Sequence, residues 1–168
     1  TENELMQPGP RYEDLVAATL PYGLVPLCVP QLRTITLGGA VTGLGIESAS
    51  WRNGCPHESV LDLDVLTGDG RVVTATPDNE HSALFYGFPN SYGTLGYALQ
   101  VNARTMPVRP FVAIEHRRYA NADECFADVA RLCLADDIDF LDGVAFAPGD
   151  LVLTLGRFVD AVPYTSDY

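Results

Sequence analysis

The chain has 168 residues, 47% of them hydrophobic, and a formal net charge of −12. That charge excludes an intimate partnership with nucleic-acid phosphates, which demands basic patches, and argues against docking on an anionic membrane. No apolar run approaches the ~20 residues of a membrane-spanning helix and no signal segment follows Thr1, so the expectation is a cytoplasmic protein with a packed core.

In chain order, residues 1–10 alternate loosely and break at Pro8, Gly9 and Pro10, which predicts a short strand and a turn. Residues 11–23 predict a helix. Leu15, Val16, Thr19 and Leu20 recur at helical spacing, Glu13 and Asp14 sit in the first turn, and Pro21 and Gly23 end it. Residues 24–30 are apolar but interrupted by Pro26 and Pro30, so they read as an extended segment rather than a central strand. Residues 34–54 carry five glycines and few charges. Residues 59–77 predict a hairpin: Val60, Leu61, Leu63, Val65 and Leu66 interleave with polar residues, and Gly68, Asp69 and Gly70 turn the chain toward Val72, Val73 and Thr74. A short helix is expected over 79–85. A glycine-rich loop follows, then a strand over 97–104.

Pro107 and Pro110 bracket an expected domain boundary, placing residues 1–108 in one domain and 109–168 in another. Beyond it the order reads strand, helix, strand, strand. The helix is expected to present Ala122, Phe126, Val129, Ala130, Cys133 and Leu134 on its buried face, with Cys125 and Cys133 both packed in the core. The fold class expected from these elements is α+β with mostly antiparallel sheets.

Two segments carry candidate chemistry. The first is Thr36, Leu37, Gly38, Gly39, Ala40, Val41, Thr42, Gly43, Leu44, Gly45, Ile46, Glu47 and Ser48. Its glycines allow close approach of backbone to a ligand, and successive N–H groups in such a loop can nest a phosphate. A close-packed turn with no ligand is the competing reading. The second segment is Ser91, Tyr92, Gly93, Thr94, Leu95, Gly96 and Tyr97, which leads straight into a strand and reads equally as a strand-entry bulge. A dinucleotide-binding fingerprint at Gly43, Gly45 and Ser48 fails on context, because no helix follows it and a hairpin replaces the expected βαβ unit. The four cysteines form no C-x-x-C pair, and the three histidines show no metal-ligand spacing, so no metal is expected. His57, His81 and His116 read as loop, surface and edge residues. Tyr92, Tyr97 and Trp51 could stack on a ring or serve the core. Glu47 suits a hydrogen bond to a ribose, one to loop backbone, or a surface position.

The two glycine segments with a hairpin between them, in this order and spacing, resemble the second half of the FAD-binding domain of the FAD-binding type 4 (vanillyl-alcohol oxidase, PCMH-type) superfamily. Within it the similarity is strongest to the delta-24-sterol reductase-like branch. The resemblance runs over essentially the whole chain. It implies an FAD-linked oxidoreductase acting on a sterol-like or other small hydrophobic substrate. It also implies that the stretch from Thr36 to Ser48, with Gly93, Thr94, Gly96 and Tyr97, contacts FAD, and that His57 lies near the cofactor. Residues 1–108 would then be the C-terminal part of the FAD-binding domain and 109–168 the beginning of a substrate-covering cap. The pyrophosphate-loop subdomain and most of the cap would belong to missing segments of a longer parent chain, with the catalytic residues among them. The alternative is an isolated piece that holds no flavin and acts only in structure or interaction.

Overall fold

A computed structural model describes residues 9–166, and the backbone of residues 3–6. The expected turn at Pro8–Pro10 and the end of the chain therefore lie partly outside the described residues. The chain divides into two compact units, Thr1–Pro107 and Val108–Tyr168. Both are built of antiparallel strands and helices, the α+β class expected from sequence.

In the first unit, strands β1 (Asn3–Met6), β2 (Leu24–Pro26), β3 (Val60–Leu66), β4 (Val72–Ala75) and β5 (Tyr97–Pro107) form one sheet in the order β1-β5-β3-β4, with β2 also paired to β5. The hairpin follows from local chemistry. Leu63 pairs with Ala75 and Leu66 with Val72, while Gly70 takes φ +83° in the turn. Asp69 closes that turn by accepting the Thr67 hydroxyl at 2.6 Å and the Arg71 Nε at 2.7 Å. The strands are antiparallel, which disposes of a parallel dinucleotide-binding sheet. β5 is long because it must serve several partners: β3 along residues 97–103, β1 along 101–104 and β2 along 105–107.

Helices α1 (Tyr12–Thr19), α2 (Leu37–Gly43), α3 (Ser50–Asn53) and α4 (Ser82–Gly87) complete the unit. Tyr12 and Leu15 of α1, Leu37, Ala40 and Val41 of α2, and Phe88 after α4 share one core with Val60, Leu63, Val65, Val101 and Ala103 of the sheet. α2 is a finding against the loop expected there. Three of its seven residues are glycine, each costing about 1 kcal/mol in a helix relative to alanine. Two things offset that cost. The Thr36 hydroxyl caps the Gly39 N–H at 3.1 Å, and Leu37, Ala40 and Val41 bury their side chains at i, i+3, i+4 spacing.

The second unit is a three-stranded sheet, β6 (Phe111–Tyr119), β8 (Asp150–Val159) and β7 (Phe140–Ala147), in that spatial order, with helix α5 (Ala122–Leu132). Its buried apolar side chains among the described residues are Cys125, Leu132, Ile138, Leu153 and Leu155. The face expected for α5 is corrected here. Cys125 and Leu132 are buried, whereas Phe126 is 66% and Leu134 86% exposed, and Cys133 is exposed rather than core. The misleading residue is Asp128. It is polar yet points to the sheet, where it accepts from Tyr119 and Arg131 and from Arg117 Nη1 at 3.2 Å. A polar anchor on the inner face shifts the apolar pattern off the true one.

Candidate functional site

The two glycine segments lie some fifty residues apart in sequence, and the fold joins them. The Tyr92 N–H donates to the Thr42 carbonyl at 3.2 Å, and the Tyr92 hydroxyl donates to the Gly43 carbonyl at 3.4 Å. α2 thus ends against the loop that enters β5. Three non-glycine residues hold positive φ among the described residues, and all sit at this junction: Leu44 (+55°), Asn90 (+61°) and Tyr92 (+50°). Each costs on the order of 1 kcal/mol and persists only where the surroundings over-determine it. Strain of this kind gathers at ligand clamps and active sites.

The junction is also apolar and open. Ile46 is 81%, Tyr92 72% and Tyr97 71% exposed, with Leu44, Leu95 and Leu99 less so. No atom lies within 4 Å of where a Gly93 Cβ would stand, so space is free above that backbone. Ser91 is buried, and its hydroxyl has no hydrogen-bond partner.

The site residues expected from sequence divide by what they touch. The side chains of Leu37 and Ala40 face the core, so only their backbone could meet a ligand, while Val41 packs in the core and also edges the cleft beside His57. The hydroxyls of Thr36 and Thr42 are spent on the Gly39 N–H and the Gly38 carbonyl. Thr94 caps its own turn through the Ser91 carbonyl at 2.7 Å. Gly96 is required by packing, since at φ +136° a Cβ would stand 2.5 Å from the Leu66 carbonyl oxygen. Glu47 bonds to loop backbone: its carboxylate accepts the Gln31 N–H at 2.9 Å, which ties the approach to α2 onto its exit. Gly38, Gly39, Gly43, Leu44, Gly45, Ile46 and Ser48 are the other members of the first segment. Gly93 and Tyr97 complete the second.

His57 stands at a cleft that the first glycine segment also lines through Val41. The cleft, of about 450 Å³, is lined further by Val60, Leu63, Phe85 and Tyr86, and the His57 Nδ1 is buried without a partner. His81 stands 3.8 Å from Glu80, and exposed His116 shares a 2.9 Å hydrogen bond with Thr154. Trp51 lies beneath the Arg52 guanidinium, 5.1 Å from it. Among the described residues no group of three or more His, Cys, Asp or Glu could hold a metal ion, and no helix is long and apolar enough to cross a membrane. Sequence reasoning missed Asn90 and gave Ser91, the first residue of the second segment, no separate role. The run Pro89-Asn90-Ser91 before Tyr92 carried the signal, because asparagine tolerates the left-handed region.

Comparison with known proteins follows this geometry. The delta(24)-sterol reductase of Pisum sativum is 33% identical over 103 residues, 61% of this chain and 18% of its own length. Delta(24)-sterol reductases are thus similar to most of the chain, at modest identity. The Homo sapiens delta(24)-sterol reductase is 28% identical over 132 residues, 79% of the chain and 25% of that protein. Cytokinin dehydrogenase 7 of Oryza sativa subsp. japonica is 33% identical over 96 residues, 57% of the chain and 18% of that protein. The chain therefore spans about a fifth to a quarter of the length of these relatives. No family model matches it. The relatives share an oxidoreductase vocabulary, a reductase and a dehydrogenase, in agreement with the class that the glycine segments imply.

Proposed function

We propose that the chain forms one wall of an FAD site in an oxidoreductase acting on a sterol-like or other hydrophobic substrate. The observation that carries this reading is the junction itself. Two glycine segments, strained at Leu44, Asn90 and Tyr92, meet beside exposed apolar residues in a chain similar to sterol reductases. Its composition fits a large, flat, phosphorylated cofactor. Open backbone at Gly93 offers polar contacts, and Ile46, Tyr92 and Tyr97 offer an apolar surface for a ring.

On this reading the backbone of residues 36–48 and of Gly93, Thr94, Gly96 and Tyr97 holds the cofactor. Bound there, the flavin supplies hydride transfer. The protein's own part is to orient it, to keep the strained backbone in place and to exclude water. Residues 1–108 belong to the flavin-binding domain and 109–168 open the substrate domain. Further segments of a longer polypeptide complete the cleft and supply the catalytic groups.

The test is the visible absorbance of the full-length polypeptide containing these residues, purified and then titrated with FAD. The two flavin bands should be present or appear on titration. A colourless protein that takes up no FAD overturns the reading.

A further inference from the structure

We infer that Cys28 and Cys55 are a site of reversible disulfide formation whose closure encloses the whole first glycine segment. Both thiols are free. Cys28 is buried just beyond β2, and its Sγ lies 3.3 Å from the Ser50 hydroxyl of α3. Cys55, half-exposed and two residues beyond α3, lies close enough for the same hydroxyl to act on its thiol. Two sulfurs flanking one hydroxyl stand roughly 4–7 Å apart. A disulfide brings its Cβ atoms to about 3.8 Å, so closure requires the Ser50 side chain to rotate aside and the backbone to shift. The same hydroxyl accepts the Glu47 N–H at 2.9 Å, so the thiol pair is wired to the end of the glycine segment. Every residue from Thr36 to Ser48 lies inside the loop that the bond would close.

The oxidant is hydrogen peroxide or an organic hydroperoxide. The Cys55 thiolate attacks one peroxide oxygen, the O–O bond breaks, and water (or the alcohol) leaves Cys55 as a sulfenic acid. The Cys28 thiolate then attacks the Cys55 sulfur, the S–S bond forms, the S–O bond breaks, and a second water leaves. The two thiols give up two electrons and two protons, and the peroxide is reduced by two electrons. Burial raises both thiols above their usual range, with Glu47 acting further on Cys28 and Glu58 on Cys55. The Ser50 hydrogen bond opposes the rise. The Tyr12 hydroxyl is itself pushed up, by burial first and then by the Cys28 thiolate. Oxidation is therefore slow near pH 7 and faster toward pH 9, where more thiolate is present.

The experiment treats the intact, folded protein with hydrogen peroxide at both pH values and maps its peptides without reduction. A peptide linked through Cys28 and Cys55, lighter by about 2 Da than the two free peptides, is expected. Its yield should grow with pH, and the melting temperature should rise by several degrees, reversed by dithiothreitol. Cys55→Ser should abolish the link and the temperature rise, and Cys133→Ser should leave both intact. Cys55 passing to sulfinate with Cys28 still free, or linkage running through Cys133, overturns the inference. Neither readout involves flavin, so its failure is distinguishable from failure of the proposed function.

Discussion

The two units handle polar groups and backbone strain in opposite ways. The first holds all three positive-φ non-glycine residues among those described, and all four buried side-chain atoms found without a partner: Trp51 Nε1, His57 Nδ1, Ser91 Oγ and Asn102 Oδ1. The second is a three-stranded antiparallel sheet in the order β6-β8-β7 whose arginines are paired with carboxylates. Arg117 and Arg131 meet Asp128, Arg157 meets Glu115 and Asp137, and Arg118 meets Asp150. Unsatisfied groups and strained backbone lower stability and are retained where something else depends on them. On the proposed reading the first unit keeps this strain for a site, whereas the second satisfies its charged groups among themselves.

That contrast can be broken by matched substitutions, the largest at two glycines. Gly96→Ala places a Cβ 2.5 Å from the Leu66 carbonyl at φ +136°, and backbone cannot yield as a side chain can. We expect a loss of about 3–5 kcal/mol, measured by urea denaturation. Gly156→Ala in the second unit meets the Phe140 side chain at 2.9 Å in an unstrained conformation. It should cost only about 1–3 kcal/mol. Equal losses would erase the distinction.

A smaller effect of opposite sign is expected at Leu44. Glycine accepts φ +55° without strain, and the leucine side chain is exposed, so Leu44→Gly should stabilise the first unit by about 1 kcal/mol. The same change should weaken FAD binding by the full-length protein severalfold, because the junction loses its set shape. Stabilisation with unchanged flavin affinity would reduce the strain to an accident of packing.

Acid sensitivity is the smallest effect, and it touches both units. The Thr67 hydroxyl, followed by Arg71, lowers the exposed Asp69 carboxyl to about 2. The Tyr119 hydroxyl, with Arg131 and Arg117, holds Asp128 below its usual range. A carboxylate depressed in the folded state contributes its stability above its unfolded value of about 4 and loses it as pH falls toward the folded value. Melting temperature should therefore drop between about pH 4 and pH 2. Asp128→Asn should flatten that drop in the second unit more than Asp69→Asn does in the first, because Asp128 faces the sheet whereas Asp69 caps an exposed turn. Identical profiles for the two variants would argue against a role for the Asp128 cluster in holding α5.

Much of the fold was legible because it rests on near neighbours. Alternation from Val60 to Leu66 with a Gly-Asp-Gly turn specifies a hairpin, since every interaction that forms it lies within about fifteen residues. The strand, helix, strand, strand order of residues 111–159 was legible for the same reason. The first glycine segment was misread as a loop because glycine content outweighed the spacing of Leu37, Ala40 and Val41. Only packing of those three against β3 and β5 makes the helix worth its entropy. The buried face of α5 was misread because the residue that decides it, Asp128, finds its partners on another strand.

The sequence by itself determined two glycine segments, a hairpin between them and the change of texture at Pro107. Turn chemistry and periodicity are local and need no partner. Only the tertiary structure decided that β5 is shared among three strands, that β8 lies between β6 and β7, and that Tyr92 closes on Thr42 and Gly43. Those contacts join residues tens of positions apart. Their free energy depends on the burial and backbone pairing of the whole unit, and no single segment contains it.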